Sequence, residues 1–191
     1  PVIRPKSKPI LVDKSPKKSK IGVIGAGNYA SRVLIPALKR CNVNLYGIAS
    51  EQGVSASVVG NQFNFQRVYD SAEMMLLDPL VDTIFIATQH NSHAQLVLGG
   101  LSNGKNIYVE KPLALTLEDV ASIESCFEAQ EIRKHFAVGF NRRFSPHSIK
   151  VRELIQETNA PVYFLITVNA GNIDPKHWTR DKNLGGGRII G

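Results

Sequence analysis

A glycine-rich turn near the start of the chain has the spacing of a phosphate-binding loop. It reads Gly25-Ala26-Gly27-Asn28-Tyr29-Ala30, a G-x-G-x-x-A pattern. Gly25 permits a tight turn, Gly27 lets the main chain approach a pyrophosphate, and Ala30 allows close helix packing. The pattern follows an apolar segment and opens an amphipathic one, so the first N–H groups of a helix would point at the anion. We therefore predict a dinucleotide-binding turn; the alternative is a strand-to-helix turn without a ligand.

The residue expected to contact the adenosine ribose leaves the choice of dinucleotide open. Roughly twenty residues beyond the glycine turn, an acidic side chain normally binds the ribose 2′-hydroxyl of NAD. Ser50 occupies this place, followed by Glu51 and Gln52. A serine tolerates a 2′-phosphate better than a carboxylate does, yet no arginine adjoins it to bind that phosphate. The sequence therefore predicts NAD or NADP as the cofactor.

A lysine is the candidate for proton transfer. Lys111 stands in Glu110-Lys111-Pro112, directly after a short apolar segment, at what we predict to be the carboxyl end of a parallel strand, where open α/β sheets bind ligands. Oxidation of a secondary alcohol by hydride transfer needs a group that takes the hydroxyl proton, and a desolvated lysine can do so. Taken alone, the tripeptide fits a solvated lysine before a loop proline better.

The elements that would position these residues alternate along the chain. Short β-branched segments alternate with segments of helical period, which is typical of βαβ units. We predict strands at residues 20–25, 43–49, 66–69, 82–87, 106–109 and 135–140. Helices are predicted near residues 28–40, 53–62, 71–77, 92–103 and 116–131. The predicted fold class is α/β, a Rossmann doubly wound parallel sheet.

The remaining residues predict the start of a second unit. Residues 146–158 are predicted to be a helix, and residues 162–170 a strand that begins a different sheet. We therefore divide the chain into a basic Pro/Lys linker (1–19), a Rossmann domain (20–141) and a truncated α+β substrate domain (142–191).

Composition excludes several classes of protein. Residues 1–20 hold seven Lys or Arg against one Asp, so they carry +6 of the net charge of +7 and leave the body without a basic face for nucleic acid. No apolar run reaches the roughly 20 residues of a membrane span, and no signal-peptide pattern is seen, so we expect a cytoplasmic protein. Cys41 and Cys126 are far apart in the sequence, which predicts neither a metal site nor a disulfide.

Two further segments carry a family resemblance. One reads Thr88-Gln89-His90-Asn91-Ser92-His93, and a helical segment separates it from GKNIYVEKPLA at residues 104–114. With the glycine turn they resemble the glucose-fructose oxidoreductase / inositol dehydrogenase / rhizopine-catabolism (Gfo/Idh/MocA) family, whose N-terminal domain has a GxGxxA turn, a TPNxxH helix start and an EKP strand end. The resemblance covers the chain from about residue 20 to its end. Gln89 and Gly100 depart from the proline and alanine usual in the family.

The resemblance implies roles for individual residues. It makes Lys111 the catalytic acid or base, rather than a solvated loop residue, and Glu110 the contact to the nicotinamide-side ribose. His93 is expected to cap and orient its helix start, and His90 either contacts the cofactor or lies on the surface. Arg143, in GFNRRF at residues 139–144, is expected to reach substrate or cofactor. The implied cofactor-binding set is Gly25, Gly27, Asn28, Tyr29, Ala30, Ser50, Thr88, His90, His93, Glu110, Lys111 and Arg143.

The resemblance also implies a function and partners. Residues 169–178 and 185–191 are similar to the family domain that follows a zinc alcohol-dehydrogenase-like domain in bi-domain oxidoreductases, so fusion to such a domain is expected in the full-length protein. The implied reaction moves a hydride between NAD(P) and a hydroxyl-bearing carbon of a sugar or nucleotide sugar in polysaccharide metabolism. A homo-oligomer is compatible with the family. The catalytic histidine of the family would follow Gly191, so this chain is expected to bind cofactor and turn over poorly.

A non-catalytic NAD(P)-binding sensor of the same fold is the alternative function. Such a sensor needs the glycine turn but no proton relay. The pair Glu110-Lys111 therefore favours the enzyme.

Overall fold

Six parallel strands form one sheet in the computed structural model, which describes residues 18–51, 53–132, 134–169, 171–174 and 176–187. The strands are β1 (Lys20–Ile24), β2 (Asn44–Ala49), β3 (Arg67–Tyr69), β4 (Thr83–Ile86), β5 (Asn106–Glu110) and β6 (Phe136–Gly139). Their order in the sheet is β3-β2-β1-β4-β5-β6. The predicted Rossmann fold is confirmed. Most of the predicted linker, residues 1–17, lies outside the described residues.

Helices connect the strands and cover both faces of the sheet. A π-helical turn (Ala30–Leu34) continues into α1 (Ile35–Arg40), and a 3-10 turn (His90–Ser92) leads into α4 (His93–Ser102). The others are α2 (Val54–Phe63), α3 (Ala72–Leu77), α5 (Leu117–Glu128) and α6 (Pro146–Gln156), and further 3-10 turns lie at Asn141–Phe144 and Trp178–Arg180. Each predicted strand end of the sheet lies within one residue of the observed one.

Two apolar clusters form the core, one on each face of the sheet. Ile84 and Ile86 of β4 are fully buried in one cluster, while Phe85 between them packs against the other. A central parallel strand is covered on both faces in this way. Gly100 of α4 belongs to the same packing, because a Cβ there would overlap the Ile107 side chain, which explains the departure from alanine.

Side-chain caps fix where helices begin. The Ser71 hydroxyl accepts a hydrogen bond from the Met74 N–H at the start of α3, and Thr116 accepts one from Asp119 at the start of α5. Such caps satisfy N–H groups that lack an intrahelical partner. Because every strand is parallel, the loops that lead into these helices gather at the carboxyl edge of the sheet.

The predicted strand at residues 162–170 is not found. Residues 162–169 are neither strand nor helix, and Tyr163, Leu165 and Ile166 are 89%, 81% and 81% exposed. Ala170 lies outside the described residues. The segment has the side chains of a strand, but β-propensity reflects packing against neighbouring strands, and a strand needs a partner for its main-chain groups. No described residue supplies that partner.

None of the helices in the described part of the chain combines the length and the apolar character needed to cross a lipid bilayer.

A buried lysine fastens the start of β5 to the neighbouring loop. Lys105 is 5% exposed, and its Nζ donates hydrogen bonds of 2.6 Å to the carbonyl oxygens of Asp78 and Val81. Burial lowers the pKa of this ammonium, and the charges of Asp78 and Asp82 offset part of the effect. The contact holds the strand whose far end carries Glu110.

We expect the variant Lys105→Met to keep the packing of the stem but to leave two carbonyl oxygens without their donor. The expected loss in the free energy of unfolding is about 1–3 kcal/mol, measured by urea denaturation. Lys182→Met, at an exposed position, is the control and should change it by less than about 0.5 kcal/mol. Equal midpoints for both variants would show that the two buried bonds contribute nothing.

Candidate active site

The glycine turn after β1 is shaped by close approach of the main chain. Gly25 has a φ of +107°, its N–H donates to the Ala49 carbonyl oxygen at 2.9 Å, and a Cβ there would overlap the Ala87 carbonyl oxygen. Only glycine satisfies both the positive φ and the close approach. The turn is therefore held between the ends of β2 and β4.

The surface above the next glycine is open. A Cβ at Gly27 would have no heavy atom within 4 Å, and a cavity of about 590 Å³ lies over residues 25–29. Ala30 is fully buried, so the helix packs closely behind the turn. The first N–H groups of a helix lack intrahelical partners, and here they adjoin this cavity. The turn fits a pyrophosphate.

The serine at the end of β2 lies at the far side of this cavity. The Ser50 Oγ accepts hydrogen bonds from the Ser55 hydroxyl at 2.9 Å and from the Ala56 N–H at 3.1 Å. Its own proton is therefore the group it can offer to a ribose oxygen. Ser50 and Glu51 also line a neighbouring cavity of about 380 Å³ with Asp70 and Glu73. Among the described residues that line the two cavities, none is Lys or Arg.

Three donors converge on one oxygen of Glu110 at the end of β5. Its Oε1 accepts hydrogen bonds from the Tyr108 hydroxyl (2.8 Å), the Tyr29 hydroxyl (2.9 Å) and the Asn141 Nδ2 (3.1 Å). Tyr29 comes from the glycine turn and Asn141 follows β6, so the carboxylate joins three elements. Asn141 was not identified from the sequence, although its place after a parallel strand was a usable signal.

Both tyrosines are held in their neutral, donating form. Burial and the hydrogen bond to Glu110 raise the pKa of Tyr108 to about 12. The same causes raise the pKa of Tyr29 well above its ordinary value. The two hydroxyls therefore remain hydrogen-bond donors and fix the orientation of the Glu110 side chain.

Lys111 follows Glu110, and the peptide bond to Pro112 is cis. Lys111 is exposed and lines two cavities. One, of about 730 Å³, also contains Tyr29, Asn141 and Arg143. The other, of about 440 Å³, is lined by histidine and tryptophan side chains. The structure thus brings Lys111, Glu110 and Arg143 together beside the glycine turn.

Arg142 and Arg143 are neighbours in the 3-10 turn Asn141–Phe144 that follows β6. Arg142 is exposed and lines the larger cavity.

His93 is fully buried at the start of α4 and links two loops. Its Nδ1 lies 2.7 Å from the Pro112 carbonyl oxygen and its Nε2 lies 3.3 Å from that of Thr88. Burial lowers its pKa, so the neutral ring donates through one nitrogen, and the shorter distance assigns that proton to Nδ1. The Nδ1–H bonds a loop carbonyl oxygen, so His93 orients the helix start without capping its N–H groups.

His90 is buried, at 8% exposure, which excludes the surface alternative. Its Nδ1 lies 2.8 Å from the Gly185 carbonyl oxygen, and its ring meets the Trp178 ring edge-on at 4.7 Å. Burial lowers the pKa of His90 as well. Thr88, whose Oγ1 lies 2.7 Å from the Ser92 Oγ, faces the same group of cavities.

Two side chains that line the site were not selected from the sequence. Residues 176–187 cross the carboxyl edge of the sheet and place His177 and Trp178 opposite the glycine turn. No local sequence pattern predicts this arrangement, because His177 and Trp178 lie about 150 residues beyond the glycine turn in the sequence. The described residues contain no cluster of three or more His, Cys, Asp or Glu suited to a metal ion.

Comparison with known proteins gives matches over this part of the chain. The model of an oxidoreductase family with an NAD-binding Rossmann fold, Gfo/Idh/MocA, matches residues 19–140. The 1-carboxy-3-chloro-3,4-dihydroxycyclohexa-1,5-diene dehydrogenase of Comamonas testosteroni is 31% identical over 136 residues, which cover 71% of this chain and 34% of that protein.

Solved structures show the same fold. The NAD-binding protein from Listeria innocua has a TM-score of 0.74 at 26% identity and covers 91% of this chain and 51% of its own. The myo-inositol dehydrogenase of Lactobacillus casei, in complex with NAD(H) and myo-inositol, has a TM-score of 0.63 at 27% identity. The match covers 72% of this chain and 41% of that protein's chain. The chain spans about one third to one half of the length of these proteins.

The two glycines of the turn should respond differently to alanine. Gly27→Ala places a methyl group in the open cavity, so we expect an unchanged free energy of unfolding, within about 0.5 kcal/mol, and NADH binding at least about 10-fold weaker. Gly25→Ala should cost more than about 1 kcal/mol of stability because of its positive φ and the Ala87 carbonyl. Calorimetric titration and urea denaturation measure the two effects. Full NADH affinity in Gly27→Ala would contradict the assignment of the pyrophosphate site.

Proposed function

Because the chain belongs to the Gfo/Idh/MocA oxidoreductase family, which has an NAD-binding Rossmann fold, we propose that the protein transfers a hydride between NAD(P) and a hydroxyl-bearing carbon. One observation carries the proposal. The Tyr29 hydroxyl of the glycine turn donates to Glu110 at 2.9 Å, and Lys111 is the next residue. The glycine turn is therefore hydrogen-bonded to the residue that directly precedes the candidate group for proton transfer.

Each group of residues around the site has its own role in the proposed reaction. The turn at Gly25 and Gly27 binds the pyrophosphate, Ser50 the adenosine ribose and Glu110 the ribose beside the nicotinamide. When bound, the nicotinamide accepts or supplies the hydride. In oxidation, Lys111 takes the proton of the substrate hydroxyl as the carbon loses its hydride, and in reduction it returns that proton to the forming alkoxide.

We propose a sugar or nucleotide sugar as the substrate, in polysaccharide metabolism. A related structure contains the cyclic polyol myo-inositol, and the cavity of about 730 Å³ beside Lys111 is of the size that accommodates a small ligand. Arg142, Arg143 and Lys111 line that cavity against the single acid Glu110. This excess of positive charge favours a substrate with phosphate groups, such as a nucleotide sugar.

The wider organisation belongs to the same proposal. We retain the division into a linker, a Rossmann domain and a partial substrate domain, with an alcohol-dehydrogenase-like domain preceding them in the full-length protein. The exposed apolar side chains of residues 162–168 support a homo-oligomer. Cys41 and Cys126 are free thiols, as is usual in the cytoplasm, where we place the reaction.

Calorimetric titration of NADH and of NADPH into the chain tests the cofactor site. We expect saturable binding of NADH and binding of NADPH that is at least about 10-fold weaker. The reason is that Glu51, Asp70 and Glu73 lie near Ser50, and no described residue that lines the two cavities is Lys or Arg. Tighter binding of NADPH would contradict this argument. Absence of binding by both would overturn the proposed function.

Replacement of Lys111 separates the enzyme from a sensor. In the catalytically active protein, Lys111→Ala should lower the rate about 10²- to 10⁴-fold, as expected when general acid–base help is lost, with NADH affinity nearly unchanged. Lys150→Ala, on the exposed face of α6, is the control and should keep the full rate. An unchanged rate in Lys111→Ala would remove the lysine from the chemistry, and loss of NADH binding would make it a cofactor ligand instead.

A further inference from the structure

The only tryptophan of the sequence stands between two parts of the site. Trp178 lines the cavity of about 590 Å³ whose floor is the glycine turn. It also lines the adjoining cavity of about 440 Å³ that contains Glu110 and Lys111. Trp178 is therefore shared by the cavity at the glycine turn and the cavity that contains the candidate acid or base.

The position of this ring is set by contacts to the start of α4. The Gly185 carbonyl oxygen lies 2.8 Å from His90 Nδ1, and the Asn91 N–H donates to Leu184 at 3.1 Å. Because burial keeps His90 neutral, its Nδ1 carries the proton and donates to this carbonyl. The imidazole then meets the indole edge-on at 4.7 Å and 74°.

Gly185, which His90 contacts, is itself packed closely against the main chain at Trp178. A Cβ at Gly185 would overlap Thr179 Cα and lie 2.7 Å from the Trp178 carbonyl oxygen. Residue 185 is therefore packed directly on the main chain of residues 178–179. His90 fixes Gly185, and Gly185 fixes Trp178.

We propose that Trp178 is a wall of the nicotinamide pocket and contacts the nicotinamide ring, with His90 as its positioning residue. The proposal rests on the proposed function. With the pyrophosphate over Gly27 and the reacting carbon beside Lys111, the nicotinamide has to lie in the cavity between them. That cavity is lined by Ala87, Ile173 and Trp178 on its apolar side, and an aromatic ring suits a flat aromatic ligand.

Fluorescence of the single tryptophan tests the contact. The probes are NAD⁺ and ADP-ribose, which share the adenosine and the pyrophosphate but differ in the nicotinamide. Oxidised nicotinamide quenches indole emission on ring contact, so we expect saturable quenching by NAD⁺ and little by ADP-ribose. Calorimetry measures the binding of both probes to the same chain. Trp178→Ala should weaken the binding of NAD⁺ by about 2- to 10-fold and leave the affinity for ADP-ribose unchanged.

A relocated tryptophan is the matched control. Tyr163 is 89% exposed, so the double variant Trp178→Phe/Tyr163→Trp moves the only indole away from the site. NAD⁺ should still bind to it without quenching. Quenching of equal size in this variant would show that the signal does not report contact with residue 178.

Gly185→Ala tests whether the packing of Gly185, whose carbonyl oxygen His90 contacts, sets the position of Trp178. The added methyl group has to displace residues 178–179, so quenching by NAD⁺ should fall while ADP-ribose affinity is kept. A purely structural defect would instead weaken both probes together.

The remaining outcomes separate the two proposals. If both probes bind and quench equally, or bind without any quenching, the contact to the nicotinamide is refuted and the cofactor site stands. If neither NAD⁺ nor ADP-ribose binds, the proposed function itself fails.

Discussion

The end of one central strand presses against the turn that follows its neighbour. β1 and β4 pair in parallel at the middle of the sheet, and the main chain at Gly25 approaches the Ala87 carbonyl so closely that no side chain fits between them. On the other side, the Gly25 N–H is bonded to Ala49 of β2. Because three strand ends hold the turn, its direction is fixed, and Tyr29 reaches Glu110 from it.

Glu110 joins the glycine turn to the other parts of the candidate site by hydrogen bonds. Three donors meet at one oxygen of this side chain, and together they set its orientation. The donors also restrict their neighbours: a Cβ at Gly139 would lie 2.6 Å from the Tyr108 hydroxyl and 2.9 Å from Glu110 Oε2. The end of β6 therefore has to be glycine for the network to close. Arg143 and Asn141 follow that glycine, so their approach to Lys111 depends on the same packing.

The features found from the sequence are those that local pattern determines. The six strands were predicted to within one residue because alternation of β-branched segments with helical segments is a local signal. Ser50 was selected by its distance from the glycine turn, and Lys111 by its place at a predicted strand end. The family resemblance was still needed to prefer a catalytic Lys111 over a solvated loop lysine. Asn141 also follows a predicted strand, but its hydrogen bond to Tyr29 spans 112 residues, and no local pattern encodes that partner.

The features that sequence reasoning missed or predicted wrongly share a physical cause. Residues 162–169 have the composition of a strand, yet pairing is a property of two segments, and the described part of the chain provides only one. Trp178 and His90 likewise meet through contacts between distant segments. The side of the cleft at the glycine turn is built from strand ends and was predicted from the sequence. The opposite side is formed by residues 176–187, which are attached through His90 and Asn91.

This difference between the two walls bears on how the site is held together. The turn at Gly25 cannot move without separating β1 from its neighbours, because its hydrogen bonds continue the ladder of the sheet. The wall at Trp178 is attached by a hydrogen bond from a neutral histidine, a main-chain bond from Asn91 and the packing of one glycine. Local opening takes place where few contacts are lost. Movement at the cleft should therefore occur at residues 176–187, which include Trp178, while the glycine turn and Glu110 keep their positions.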